Sequence, residues 1–336
     1  MSTFFLAITL VVFASFFQGT FGLGMKYMAP LKWEAWWIVH AFTAMILVPL
    51  VWALIAIPDL FEVIADNDSQ TIFLAAFFGF LWGIGGILFG VSVEKTGISI
   101  TYGIVMGLAA SMGSVIPLFQ IEGAFSQPSF PIIIIGVVLL LVGVAITAVA
   151  GVKRDKLKLK DGLTPNKSIK LGVLIAVASG VLSAFLNVGF SNAAPVAKIA
   201  VDQYGVNAQN ASLASWVVVL IGAFIMNGGY ALFLFIKNKS WNAYSVPNKG
   251  KALKWAILSG IFWFAALGVY GQGGALMGDL GPVIGWPILL GLALIISNIW
   301  AYRAGEWKNV KAPFKVLLGG LAVLISAICI LGYANY

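Results

Sequence analysis

Ten long apolar stretches, parted by short polar loops, fill this 336-residue chain almost end to end. They run over Thr3–Gly22, Ala35–Ile57, Thr71–Val93, Ile98–Phe119, Phe130–Gly151, Leu171–Asn192, Ser212–Ile236, Ala252–Ala275, Pro282–Ala301 and Phe314–Tyr333. Each reaches the roughly 20 residues that a helix rising 1.5 Å per residue needs to cross a hydrocarbon core of about 30 Å. None alternates apolar and polar residues as a barrel strand does. Lipid offers backbone amides no partner, so each stretch predicts a membrane-spanning helix. The expected fold class is an all-α polytopic membrane protein.

The pattern also repeats. A shift of 181 residues lays Gly79, Trp82, Phe89 and Gly90 of the third stretch on Gly260, Trp263, Tyr270 and Gly271 of the eighth, sharing G-x-x-W-x6-aromatic-G. The same shift carries the fifth stretch onto the tenth. Five helices are thus read as duplicated, in residues 1–151 and 171–336, with a basic linker at 152–170. An odd number of spans makes the second copy enter the membrane from the opposite side. Inverted repeats of this kind hold substrate near the midplane, where the halves meet.

Composition confirms the solvent: 61% hydrophobic and 10% charged residues exclude a soluble fold. Charge then supplies direction. Of 20 Lys and Arg, only Lys198 falls outside the loops that follow the odd-numbered stretches. By the positive-inside rule those loops are cytoplasmic and both termini face outward. The net charge of +8 is therefore an orientation signal, and nucleic acid is not an expected partner. No obligate protein partner is implied, and the lipid bilayer is the expected surrounding. The chain holds no phosphate-binding Gly-rich loop followed by Lys and no zinc spacing, and its lone Cys329 has no Cys to pair with. No cofactor is expected beyond a proton as coupling ion.

Candidate chemistry lies at membrane depth. Trp82 and Trp263 are central in their stretches, too deep for interfacial anchors, whereas Trp36, Trp37, Trp241, Trp300 and Trp307 lie near span ends and suit that role. An indole can stack on the C–H face of a sugar while its N–H reaches a hydroxyl. The amides Gln18, Asn187, Asn192, Asn227, Gln272 and Asn298 would be costly against lipid, so they are expected to face the interior. Carboxamides both donate and accept, which suits a polyol. No Asp, Lys or Arg lies mid-span, which favours a neutral substrate over an ion. One His, with no paired carboxylates in the spans, argues against an enzyme. Glu34, at the start of the second span, and His40 are candidates to carry a coupling proton. Phe89 and Tyr270, at matched positions, are candidate gates on opposite sides.

These residues resemble the L-rhamnose/proton symporter family within the drug/metabolite transporter superfamily. The similar stretches are Lys32-Trp33-Glu34 with Trp37 and Pro49, Gly79 to Pro117, Gly180 to Pro195, Asn227 with Tyr230, Trp263 with Tyr270, Trp286, and Gly305-Glu306-Trp307-Lys308. The resemblance covers nearly the whole chain. It implies ten helices in a 5+5 arrangement in a bacterial cytoplasmic membrane and secondary active uptake of a deoxy sugar, L-rhamnose foremost, with protons by alternating access. Export or exchange of drugs or metabolites, which the superfamily also performs, is the alternative. The chain departs from the family pattern at Gly86, where family members carry Asn or Gln, and at Ala266, where one carries Gln.

Overall fold

The computed structural model describes residues 3–158 and 169–334, so most of the predicted linker, residues 159–168, lies outside the described residues. Among the described residues every regular element is helical. Ten helical segments are long and apolar enough to cross a membrane, and they are numbered here as spans: 1, Thr3–Tyr27; 2, Trp33–Ala56; 3, Ser69–Thr96; 4, Ile98–Gln120; 5, Ser129–Leu157; 6, Lys170–Asp202; 7, Ala208–Lys237; 8, Lys249–Ala275; 9, Gly278–Arg303; and 10, Lys311–Tyr333. The protein is a multi-pass membrane protein.

The spans are longer than the apolar stretches because polar residues cap and extend them. Asp68 accepts hydrogen bonds from the backbone N–H groups of Gln70 (3.0 Å) and Thr71 (3.2 Å) at the start of span 3. Asn207 does the same for Gln209 (2.9 Å) at the start of span 7, satisfying donors that a helix start leaves orphaned. Gly97, at φ +82°, turns span 3 into span 4 with a single residue. The helix of span 5 runs to Lys158, so the first basic residues of the predicted linker are helical.

Four spans are not continuous α-helices. Span 1 ends in a 3-10 segment, Phe21–Tyr27, and span 6 breaks at Ala193 before a short helix, Ala194–Asp202. Wide π turns interrupt span 2 at Thr43–Leu47 and open span 9 at Gly281–Gly285. Large side chains such as Phe5, Ile55, Phe73 and Ile225 are exposed on the outer surface, as a lipid-facing wall requires.

The packing partners follow a rule. Span 6 packs on spans 3 and 4, and span 1 packs on spans 8 and 9; span 3 meets span 7, and span 8 meets span 2; spans 4 and 5 pair as spans 9 and 10 do; span 5 lies along span 10. Exchanging each span for the one five places away reproduces this scheme. Matched glycines make matched contacts: a Cβ on Gly79 would lie 2.0 Å from the Val219 carbonyl oxygen of span 7, and one on Gly260 would lie 3.0 Å from the His40 carbonyl oxygen of span 2. The arrangement is consistent with two inverted five-span repeats.

The tightest approach joins spans 3 and 7, where a Cβ on Gly222 would sit 1.7 Å from the Ala76 carbonyl oxygen. Backbone cannot yield there as a flexible side chain would. Gly222→Ala is expected to destabilise the protein by about 1–3 kcal/mol, the usual range for overpacking. Gly229→Ala, with open space around it, should instead gain up to about 1 kcal/mol from helix propensity. Melting of the two variants in detergent, compared with the unaltered chain, checks both signs.

Candidate functional site

Trp82 of span 3 and Trp263 of span 8 meet face to face across the middle of the bundle, with ring centroids 5.4 Å apart and planes 29° from parallel. That is direct contact, so no sugar ring fits between them in this conformation. Spans 3 and 8 are not packed backbone to backbone; the indoles bridge the gap. Among the described residues neither indole N–H has a protein acceptor. Neither is sealed in without a partner, as those of Trp36, Trp216 and Trp307 are. Two donors therefore remain available beside the stack.

Asn227 of span 7 stands next to this pair. Its Nδ2 donates to the Ala223 carbonyl of its own helix (3.1 Å), and its side chain lies against Gly83, the residue after Trp82. A Cβ on Gly86 would meet only Asn227 Oδ1, at 3.8 Å, and one on Gly90 would meet nothing within 4 Å. Both glycines are exposed. Span 3 thus turns a bare face below Trp82, and Asn227 Oδ1 faces it as an acceptor without a protein donor among the described residues.

About 10 Å further along span 8, two helical turns past Trp263, the bundle is closed. Tyr270 is fully buried and its hydroxyl donates to Asn187 Oδ1 (2.6 Å). Asn187 Nδ2 donates in turn to the carbonyls of Gly113 (2.7 Å) and Pro282 (2.8 Å). Trp286 Nε1 donates to the Ala109 carbonyl (2.9 Å), and Ser114 bonds the Val283 carbonyl. Phe190, Trp216 and Trp286 pack round the Tyr270 ring. One knot so joins spans 4, 6, 8 and 9, and every polar atom that Asn187 buries in it has a partner.

The remaining sequence candidates lie apart. Gln272 pairs with Asn210 (3.3 Å) near the end of span 8. Asn192 and Asn298 bond carbonyls of their own helices, Val188 and Leu294. Gln18 of span 1 keeps a buried Oε1 without a partner. Phe89 lies edge-on to Tyr102, 6.3 Å between centroids. Glu34 is buried at the basic end of span 2, where Ser240 (2.6 Å) and Asn238 (3.2 Å) donate to its Oε1. His40 is stacked against Trp36 (5.2 Å) and beside Trp37 (4.8 Å), and its buried Nδ1 has no partner among the described residues.

Two expected interfacial anchors are core residues. Trp36 is fully buried over His40, and Trp307 is buried beneath Arg154, whose guanidinium lies 4.9 Å from its ring centroid. Sequence position near a span end does not reveal that a neighbouring loop folds over the ring. Sequence reasoning also missed Trp286, Ser114 and Asn210 as partners in the closed side; each bonds across more than 60 residues, beyond any local pattern.

Removing the Tyr270 hydroxyl leaves Asn187 Oδ1 buried without its donor. Tyr270→Phe is expected to cost about 1 kcal/mol, in the range of interhelical hydrogen bonds in membranes, and Asn187→Leu, which loses all three bonds, more than that. Thermal melting of both variants measures the order.

Against known proteins, residues 3–335 match the family described as L-rhamnose-proton symport protein (RhaT). A relative from Pectobacterium atrosepticum, named L-rhamnose-proton symporter, is 27% identical over 322 residues, covering 91% of this chain and 92% of its own. One of the same name from Yersinia pestis is 26% identical over 317 residues, covering 91% of each. A crystal structure 15% identical to this chain, covering 94% of it and 95% of its own chain with a TM-score of 0.59, shares the fold. The family match spans all ten helices, the tryptophan pair and the closed knot beyond it included: the chain belongs to the L-rhamnose-proton symport protein family.

Proposed function

We propose that this chain imports L-rhamnose together with protons by alternating access, and that the sugar lies against the Trp82–Trp263 stack. The observation that carries the reading is a broken symmetry. Tyr270 and Gly271 correspond in sequence to Phe89 and Gly90 under the 181-residue shift, yet Tyr270 is bonded into the Asn187 knot with Gly271 packed against Trp216 and Ser212, while Phe89 meets only the Tyr102 ring edge-on among the ring contacts and Gly90 has open space around it. Two matched elements in unmatched states are what inverted repeats adopt when access is open on one side and closed on the other. Residues 1–151 and 171–336 are taken as those repeats, joined by the 152–170 linker.

With the basic loops on the cytoplasmic side of a bacterial inner membrane, both termini face outside and the Tyr270 knot closes the outer path. The sugar would then leave past Gly86 and Gly90. Indole faces offer its C–H surface a partner, while the two N–H donors and Asn227 Oδ1 meet hydroxyls. Asn192 and Gln272, toward the outer ends of their spans, are assigned to the entry path, and Gln18, in the cytoplasmic half of span 1, to the exit side. No fixed charge is available for an ionic guest, which with family membership favours uptake of a neutral sugar over drug export or exchange. For the coupling proton, Glu34 and His40 are the buried carboxylate and imidazole at the basic side among the described residues.

Reconstituted protein should take up L-rhamnose and move protons with it. Absence of sugar-dependent proton movement would reduce it to a facilitator. Gly86→Leu, whose Cβ has room but whose side chain would fill the space beside Asn227, is expected to lower uptake by about tenfold or more without lowering the melting temperature. Glu34→Gln and His40→Ala are each expected to impair proton-coupled uptake; if both variants couple as the unaltered chain does, neither residue carries the proton.

A further inference from the structure

We propose a binding site for an anionic glycerophospholipid on the outer face of span 5, at its basic end. Two apolar grooves flank that helix. The larger, of about 690 Å³, lies between spans 4, 5 and 6 and is lined by residues such as Gly103, Ile104, Ala145, Ala148 and Val149. The smaller, of about 320 Å³, lies between spans 5 and 10 against Leu157, Pro313 and Val316. Both are rimmed by the same two side chains, Lys153 and Lys156.

The larger groove has dimensions that suit an acyl chain, whereas the smaller, lined on span 5 from Lys153 to Leu157, covers about one helical turn. From Lys156 to Leu141 the larger one follows span 5 for about 22 Å at 1.5 Å per residue, which takes it from the helix end to beyond the middle of a core of about 30 Å. Its floor is shallow enough to admit a chain because span 4 offers glycine there: a Cβ on Gly103 would lie 2.2 Å from that of Ala148, so spans 4 and 5 touch at their backbones and leave a trough outside.

Charge selects the occupant. Three residues apart on one helix, Lys153 and Lys156 share a face, are exposed, and make no ion pair among the described residues. The neighbouring charges are already engaged. Arg154 pairs with Asp155 (2.9 Å) and Glu306 (3.1 Å), Glu306 also with Lys26 (3.0 Å), and Asp155 accepts from Ser99 (2.5 Å). The two lysines thus stand as uncompensated cations at the membrane surface. A phosphodiester held between them can lay one acyl chain along the larger groove, with the start of the second chain against the smaller. A zwitterionic lipid brings a cation of its own and gains less.

The test uses the full chain, purified in detergent and offered phosphatidylglycerol or phosphatidylcholine with identical acyl chains, the bound lipid being counted by native mass spectrometry. Phosphatidylglycerol should be retained preferentially, with roughly fivefold for each lysine engaged. Lys153→Gln combined with Lys156→Gln should bring the two lipids close to parity. Ala145→Trp, which fills the larger groove and leaves both lysines in place, should cut retention of phosphatidylglycerol as well. Equal retention of the two lipids by the unaltered chain, an undiminished preference in the double-lysine variant, or a second copy of the chain cross-linked into the groove would each overturn the proposal. So would full retention by Ala145→Trp, which would reduce the site to surface attraction of the headgroup.

Discussion

Spans 3 and 8 face each other across the centre of the bundle without backbone packing, and the gap is bridged by the stacked rings of Trp82 and Trp263. Two amphipathic rings at membrane depth are costly unless something uses their polar edges. Here, among the described residues, neither N–H has a protein acceptor. Most buried polar groups in the interior take the opposite course: Asn187, Ser179 and Ser215 are tied to carbonyls of other helices. On the proposed reading, the contrast makes the stack the place where polar capacity is kept for the sugar.

Around that stack the same lipid constraint produces both rigidity and motion. In hydrocarbon, helices gain little by burying apolar surface against each other, so close glycine contacts and interhelical hydrogen bonds hold them. The Gly79 and Gly222 contacts between spans 3 and 7 are of the first kind, and the Asn187 knot is of the second. A glycine contact resists separation but tolerates rocking. Under the proposed alternating access, the hydrogen-bonded knot would act as a latch, each of its bonds worth a fraction of a kcal/mol to about 2 kcal/mol, small enough for sugar and proton binding to offset. Tyr270 is closed in this conformation, and its counterpart Phe89 is not drawn into any such network among the described residues.

Much of this was legible in the chain because the bilayer is a strict solvent. The ten spans follow from the length of the apolar runs, and the depth of Trp82 and Trp263 from simple counting. The 181-residue shift sets the two at matched positions; that their rings touch lies beyond the pattern. What local pattern could not carry was choice of partner. Asn187 and Asn192 look alike in sequence, yet one ties three helices together and the other bonds its own backbone. Trp36 and Trp241 both lie near span ends, yet one is fully buried and the other 60% exposed. Glu34 finds Ser240 206 residues away. Such pairings are fixed by tertiary packing, to which residue type and spacing are blind.

The most direct test of the account is a titration of intrinsic tryptophan fluorescence with L-rhamnose, in the unaltered chain and in Trp82→Phe and Trp263→Phe. If the stack is where the sugar rests, the unaltered protein shows a saturable change in emission, and each substitution weakens binding and removes much of that change. Saturable binding of the same affinity and amplitude in both variants would place the sugar elsewhere and contradict the account.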